Sequence, residues 1–197
     1  YLSQNSSYFR YNPKKNQELI KHIQRFANYL DFSVLSNRDD VKFDEGELES
    51  LSSYSWDWFA ISSNYAFDFT QNFVESHPDW NWDWLTLSRR RNCVFNSDFI
   101  KTHKEFDWDW DYLSIRKEIA YSTDFIISLV DRNWNWKALQ KREDIVFTEE
   151  LLSLILDKDV DWKAFCQRKD FYPTMQVLRI LKDKKLDWQA ISRREEL

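Results

Sequence analysis

Arginine recurs at a fixed interval along this chain of 197 residues, which makes polyanion binding the first chemistry to consider. The recurring arginines are Arg38, Arg90, Arg116, Arg142, Arg168 and Arg194. One basic residue per structural unit resembles the way in which some repeat proteins read one nucleotide per repeat. The alternative is a structural role at the carboxyl end of a helix, where a cation binds the last carbonyl groups. An acidic residue stands two positions after most of these arginines as a pairing partner, and we prefer the structural interpretation.

A second set of residues recurs at the same interval and changes from aromatic to basic along the chain. The set comprises Tyr54, Trp80, Phe106, Arg132, Lys158 and Lys184. We expect a position that accepts both kinds of side chain to be exposed. Aromatic residues are enriched in interface hot spots, so we predict that a partner docks on the three aromatic residues and that the three basic residues steer it. The alternative is that the three aromatic side chains fold inward against the Trp of the next unit.

Catalytic and metal-binding chemistry has little support in the sequence. The chain contains no nucleophile-elbow, zinc-protease or glycine-rich phosphate-loop motif, and Gly46 is its single glycine. His77 and His103 occupy equivalent positions, but two histidines without a third ligand make a poor metal site. We therefore predict no enzymatic activity, no catalytic residue, no metal and no cofactor.

The elements that position these side chains follow a period of 26 residues. Seven large aromatic residues, which we call anchors, mark repeats 1 to 7: Phe32, Trp58, Trp84, Trp110, Trp136, Trp162 and Trp188. The residue before each anchor is Asp, or Asn in repeat 5, and both are preferred helix N-caps. Apolar residues two positions before and three positions after each anchor form a hydrophobic staple. Each anchor is thus predicted to start a helix of about two turns and to lie in the core.

A second helix is predicted in each of the first six repeats. Its N-caps stand twelve residues after the anchors and are Asp44, Thr70, Asn96, Ser122, Thr148 and Thr174. Apolar residues follow at helical spacing, and an extended apolar pair such as Val41 and Phe43 lies between the two helices. We predict an all-α fold, a right-handed α-solenoid of short two-helix repeats. The alternative is an α/β horseshoe similar to leucine-rich repeats, whose length range includes this period.

Domain organisation and environment follow from the same pattern. Residues 1–29 are predicted to form an atypical or capping helical unit, and residues 30–197 the repeats, of which the last is incomplete. We therefore expect a piece of a larger protein with flanking domains. The net charge of −5 disfavours nucleic acid, and no apolar run suits a membrane span or a signal peptide. Cys93 and Cys166 are expected to be buried and reduced, which suits the cytoplasm.

The motif D-W-x-x-L-S-x-R resembles the Trp-rich short repeats of some large bacterial and giant-virus proteins. Asp83, Trp84, Leu87, Ser88 and Arg90 carry it, and equivalent motifs extend from about residue 30 to the end. Those repeats often have Asn-Pro after the Ser, where this chain has Arg. The resemblance implies an interaction module without catalytic residues, and the architecture is similar to TPR and HEAT solenoids. We predict a scaffold or sensor segment that binds protein or peptide; the alternative is a nucleic-acid-binding array with one Arg per repeat.

Overall fold

The computed structural model describes residues 13–40 and 42–194, and the regular secondary structure in these residues is entirely helical. The helices are α1 (Pro13–Phe26), a 3₁₀ turn (Ala27–Tyr29), α2 (Phe32–Ser36), α3 (Glu45–Ser50), α4 (Trp58–Ser63), α5 (Gln71–Ser76), α6 (Trp84–Arg89), α7 (Ser97–Thr102), α8 (Trp110–Ile115), α9 (Thr123–Ser128), α10 (Trp136–Leu139), α11 (Glu149–Leu154), α12 (Trp162–Phe165), α13 (Met175–Ile180) and α14 (Trp188–Ser192). One isolated parallel bridge joins Phe43 and Phe67. The predicted all-α fold is confirmed, because a leucine-rich horseshoe would need a strand in every repeat.

The first helix of every repeat begins at its anchor, because the residue before the anchor caps it. In each case a side-chain oxygen accepts the backbone N–H of the residue three positions later; the capping residues are Asp31, Asp57, Asp83, Asp109, Asn135, Asp161 and Asp187. These helices contain four to six residues and are shorter than the predicted two turns. The sequence Asn12-Pro13 is typical of a helix start, a cap followed by proline at the first helical position. The N-terminal helix α1 contains 14 residues and starts at Pro13, while Asn12 lies outside the described residues.

The second helices α3, α5, α7, α9, α11 and α13 each contain six residues and begin directly after the predicted caps. Asp44 forms a full capping box with Glu47, since each residue's side chain accepts the other's backbone N–H. Thr70 is the exception, because its hydroxyl makes no capping hydrogen bond and its own backbone N–H is bound by Glu45 instead. Both helices of the repeat thus start where local capping chemistry predicts.

The core consists of the staple residues, the extended pairs, the apolar residues of the second helices and most of the anchors. The staple residues Leu35, Ile61, Leu87, Leu113 and Leu139 are completely buried. Their burial is the main apolar contribution of each first helix. Five anchors are buried as predicted, and these are Phe32, Trp58, Trp110, Trp136 and Trp162.

The prediction is wrong for the anchor Trp188, which is 55% exposed, and Trp84 is half-buried. In repeats 1 and 2 the anchor ring is covered by a residue that belongs to the following repeat. Cover of this kind accounts for the burial of the anchors Phe32 and Trp58.

The chain divides into two compact units, Tyr1–Val94 and Phe95–Leu197, which we call unit 1 and unit 2. In unit 1 the first helices of successive repeats pack side by side, α2 on α4 and α4 on α6. In unit 2, α8 packs on α10, while the second helices α9, α11 and α13 pack in sequence. Like helices therefore stack on like helices, which is the arrangement expected of a repeat that completes its core through its neighbours.

Candidate interaction surface

The recurring arginines, which we call the Arg column, bind the preceding repeat within each unit, and Arg142 shows how. Its Nη1 donates to the carbonyl oxygen of Arg116 at 2.7 Å, and its Nη2 donates to that of Ile119 at 2.5 Å. Its Nε donates to Asp144 at 2.9 Å. The guanidinium also lies 4.4 Å from the centroid of the Tyr121 ring. A single side chain of repeat 5 thus satisfies backbone acceptors of repeat 4.

Arg90 makes the most buried contact of this kind. It is completely buried, and its Nη1 lies 3.1–3.2 Å from the carbonyl oxygens of Ile61, Ser62 and Asn64. Its Nη2 donates to the carbonyl of Phe67 at 2.5 Å. Burial lowers the pKa of the Arg90 guanidinium, although interactions with nearby polar groups oppose that shift. The charge is held by carbonyl dipoles at the end of the preceding first helix.

The same contacts recur at the end of the chain and at the position without an arginine. Arg194 donates to the carbonyl groups of Phe171, Cys166 and Arg168 at 2.5–2.9 Å. Asn64 stands in the Arg column, and its Nδ2 donates to the carbonyl of Arg38 at 2.7 Å and to that of Ser36 at 2.9 Å. A shorter amide therefore preserves two of the hydrogen bonds.

These contacts show what the Arg column does in the stack. Arg142, Arg168 and Arg194 donate to backbone groups 23 and 26 residues earlier, at the end of the previous first helix and just beyond it. Arg38 and Arg116 face the acids two positions later, and their side chains are 10% and 4% exposed. The location at a helix end agrees with the structural interpretation, but the carbonyls belong to the preceding repeat. A polyanion would have to displace these intramolecular acceptors.

A column of serines, present in the repeat motif but given no role by the sequence analysis, forms a second connection between repeats. The hydroxyl of Ser114 donates to the carbonyl of Trp110 at 2.7 Å and accepts the backbone N–H of Asn135 at 2.9 Å. Ser36 and Ser62 make the same pair of bonds in unit 1. In repeat 5 the amide oxygen of Gln140 takes over the role of acceptor. The signal was present in the sequence, because a small polar residue recurs four positions after the anchors.

The aromatic residues predicted to dock a partner are half-buried. Tyr54 stacks on the anchor Phe32 with 4.9 Å between ring centroids. Trp80 stacks on the anchor Trp58 at 3.6 Å. Phe106 stacks on His103, three residues earlier in the chain, with 5.0 Å between ring centroids. Tyr54 and Trp80 therefore cover the anchors of the preceding repeats. Trp80 also stacks on His77 at 3.7 Å, so both faces of its ring are occupied within the chain.

The three basic residues of this column are also half-buried. The Arg132 guanidinium lies 5.8 Å from the ring centroid of the anchor Trp110 and pairs with Glu105 at 3.2 Å. The Lys184 ammonium donates to the carbonyl of Leu156 at 2.5 Å, and Lys158 lies half-buried beside an exposed aspartate. The column is thus less exposed than expected, and its docking role stays a prediction.

Open clefts recur at equivalent junctions on the face formed by the first helices. One cleft of about 500 Å³ lies in unit 1 beside Ala60. Two clefts in unit 2, of about 850 Å³ and 330 Å³, lie beside Ala138 and Ala190. All three alanines stand two residues after an anchor, where a short side chain leaves room between adjacent first helices. The sequence reasoning missed these clefts, although the alanines were visible.

The largest of these clefts combines apolar and basic groups. Ile115 and Ala120 contribute apolar surface from repeat 4, and the Ile115 side chain is 54% exposed. Lys117 and Lys141, both exposed, line the same cleft. The acids Glu143 and Asp144 also reach it, and Arg142 binds the second of them.

Groups suited to catalysis or metal binding are dispersed. Among residues 13–40 and 42–194 no three metal-ligating side chains come together. His77 lies between the carbonyl of Phe73 and the carboxylate of Glu49, 2.8 Å and 2.9 Å from its two ring nitrogens. Both cysteines are buried, as predicted, and burial raises the pKa of the Cys166 thiol.

None of the helices within residues 13–40 and 42–194 has both the length and the apolar character needed to cross a membrane. The described residues form a helical repeat of short, tryptophan-rich units. No protein-family model matches the chain, and neither a curated protein nor a solved structure is significantly similar to it.

Proposed function

We propose that this chain is a non-catalytic repeat module that binds protein or peptide, as a scaffold or sensor segment of a larger cytoplasmic protein. The observation that carries the proposal is the recurrence of open clefts at equivalent repeat junctions. Repeat arrays bind extended partners on surfaces with recurring recesses, and within unit 2 the clefts beside Ala138 and Ala190 lie two repeats apart.

The distribution of polar groups supports the same proposal. Residues that recur in most repeats, such as Ser114 and Arg142, hold neighbouring repeats together and are therefore occupied. Residues around the clefts differ between repeats, as Ile115 and Lys141 do at one position. A binding array requires this combination, in which the residues that join the repeats recur and the residues that line the clefts vary.

The motif D-W-x-x-L-S-x-R gives the repeat a proposed relationship as well. We place it with the Trp-rich short repeats of large bacterial and giant-virus proteins. Support comes from the division of labour in the motif: the Asp caps, the Trp and Leu pack, and the Ser and Arg bind the adjacent repeat. Each residue type in the motif thus caps a helix, packs in the core or binds the adjacent repeat, and these roles explain its recurrence.

The alternative, a nucleic-acid-binding array with one Arg per repeat, has weaker support. The donors of Arg90, Arg142, Arg168 and Arg194 bind backbone carbonyls. Phosphate neutralisation supplies most of the affinity for nucleic acid, and the chain carries a net charge of −5.

Selection from a random peptide display library tests the proposal. We expect the folded chain to enrich peptides that share a common pattern. Single-stranded RNA and DNA oligonucleotides of matched length serve as competing ligands across a salt series. The proposal fails if no peptide is enriched, and RNA binding that weakens linearly with the logarithm of salt would establish the alternative.

A further inference from the structure

We propose that the first-helix face of unit 2 binds an extended acidic peptide that carries an apolar residue at about every third position. The inference rests on the proposed function and names the class of partner and its site. The site comprises the cleft beside Ala138, the separate cleft beside Ala190 and the first helices of repeats 5 to 7. We call this surface the basic cleft face.

Apolar side chains that face solvent recur along the basic cleft face. Ile115 is 54% exposed at the rim of the largest cleft, and Ala120 and Ala138 complete its apolar lining. Ten residues after their anchors, Val146 and Tyr172 are 59% and 60% exposed. A cleft of about 850 Å³ with an apolar rim has room for a leucine-sized side chain of a peptide.

The charge on this face is opposite to that of the whole chain. Exposed residues one, five and seven positions after the anchors of repeats 4 to 7 include the cations Lys117, Lys137, Lys141, Lys163, Lys169 and Arg193. Among the described residues at the same positions, the acids are Asp111 and Glu143. Lys137 also contacts the exposed Asp159 at 2.8 Å. The excess of cations, in a chain of net charge −5, makes an acidic ligand the complementary partner.

The spacing of the repeats sets the pattern of the ligand. Packed helices lie ~8–10 Å apart. An extended peptide in the polyproline II conformation advances ~3.1 Å per residue and returns to the same face about every three residues. About three peptide residues therefore span one repeat. Position five after the anchor supplies a side chain from every repeat in turn, as Ile115 and Lys141 do in adjacent repeats. A peptide in register thus places one apolar side chain and two acids at each junction.

The same features favour a peptide over a nucleic acid. Glu143 and Asp144 lie in the cleft beside the lysines, where they would repel the phosphates of a nucleic acid bound in this cleft. An acidic peptide can leave a position uncharged at these acids. The exposed aliphatic side chain of Ile115 also matches a leucine better than it matches a phosphodiester.

Fluorescence anisotropy with a labelled peptide of four Glu-Asp-Leu triplets tests the proposal on the full chain. We expect saturable binding that weakens with salt. A peptide of four Glu-Asp-Gln triplets removes the apolar residues and is expected to bind about tenfold more weakly, the equivalent of 1.4 kcal/mol. A thymidine oligonucleotide with the same number of negative charges is expected to bind more weakly still.

Variants of exposed residues locate the site. Ile115→Asp and the double variant Lys141→Glu/Lys163→Glu are each expected to weaken peptide binding about tenfold or more, and the lysine variant also reduces the salt dependence. The matched control is Lys101→Glu/Lys182→Glu, which makes the same charge change at exposed positions in α7 and directly after α13. We expect less than about a twofold change for this control. Circular dichroism verifies that each variant is folded.

Three outcomes overturn the proposal: no binding of the Glu-Asp-Leu peptide, equal effects of the site and control variants, or oligonucleotide binding that is equally tight and is lost in the same variants. Failure of the proposed function looks different, because then the display library would enrich no peptide at all. If the library enriches peptides of another pattern, or peptides insensitive to Ile115→Asp, the proposed function holds and the assignment of this face is wrong.

Discussion

The guanidinium of Arg142 belongs to repeat 5 and yet donates to two carbonyl groups of repeat 4. Its side chain is 8% exposed, so these carbonyls have little water to replace it. Arginine suits the task because its planar fork offers several donors in fixed directions, whereas lysine offers a compact charge. The stabilisation by Arg142 therefore depends on the geometry of its side chain as much as on its charge.

Arg142→Lys therefore tests the residue at constant charge. We expect the free energy of unfolding to fall by about 1.5–3 kcal/mol, because charge-assisted hydrogen bonds to buried carbonyls are lost. Urea unfolding measures the change. The control is Arg179→Lys, at an exposed position of α13, for which we expect less than about 0.5 kcal/mol. Equal values for the two variants would contradict the assigned role.

Asp144 gives the same junction a dependence on pH. Burial raises the pKa of its carboxyl, but hydrogen bonds from the Arg142 guanidinium and the Tyr121 backbone N–H outweigh burial and lower the pKa overall. A lowered pKa in the folded state means that the carboxylate stabilises the fold above its unfolded pKa. This stabilisation is lost as pH falls through the lower, folded pKa.

Asp144→Asn should therefore weaken the fold at neutral pH and weaken it less at acidic pH. Unfolding experiments at neutral pH and at a pH below the ordinary range of aspartate measure the difference between the variant and the original chain. We expect this difference to shrink as pH falls. A difference that stays constant across this range would show that the carboxylate contributes no pH-dependent stability.

At the scale of elements, the first helices owe their stability to packing. Helices of four to six residues do not persist in water without tertiary contacts. α8 begins at its Asp109 cap and buries Leu113 completely, while α11 leaves Leu154 41% exposed. The two leucines allow the contribution of burial to be compared directly.

Leu113→Ala is expected to lower the free energy of unfolding by ~2–5 kcal/mol, as a large-to-small change at a buried position. Leu154→Ala, at the exposed position in α11, is expected to cost less than about 1 kcal/mol. Chemical denaturation of both variants decides the matter. If Leu113→Ala cost less than half a kcal/mol, the staple would not be the core of the helix.

The sequence predicted helix starts well because capping is local. Asp109 and Ser122 bind backbone groups three residues ahead, and this spacing is readable in the sequence. Contacts between repeats were harder to predict, because they depend on how neighbouring repeats stack. The Arg column was located, but its carbonyl partners, 23 to 28 residues earlier, were not identified. Trp80 was expected to be exposed, because the tolerance of its position for basic residues gave no hint of the anchor beneath it.

At the scale of the whole molecule, stability is expected to be a sum over repeats and their junctions. In unit 2, Arg142 binds carbonyls of repeat 4, and Arg168 binds the carbonyl of residue 142 itself at 2.9 Å. Arg194 binds carbonyls at positions 166, 168 and 171, none of which Arg142 shares. Coupling should therefore be confined to adjacent junctions.

Double-variant cycles test this locality. The effects of Arg142→Lys and Arg194→Lys on unfolding free energy should add to within about 0.5 kcal/mol, while Arg142→Lys and Arg168→Lys should depart from additivity by more than that. The matched cycles use the same substitution throughout, so only the separation of the sites differs. Coupling of equal size in both cycles would show that the repeats do not act through neighbours alone.

The constant sequence separation of the residues that are hydrogen-bonded between repeats also limits how the gene can change in length. Serine bonds join residues 21 apart, and arginine bonds join residues 23, 26 and 28 apart. An in-frame duplication or deletion of one period of 26 codons would give each donor at the new boundary an equivalent acceptor. An insertion inside the array whose length is not a multiple of this period would misalign the bonds that span it. The bonding pattern thus permits the array to lengthen or shorten only in whole repeats. Related genes should therefore differ in the number of repeats and not in the length of a repeat.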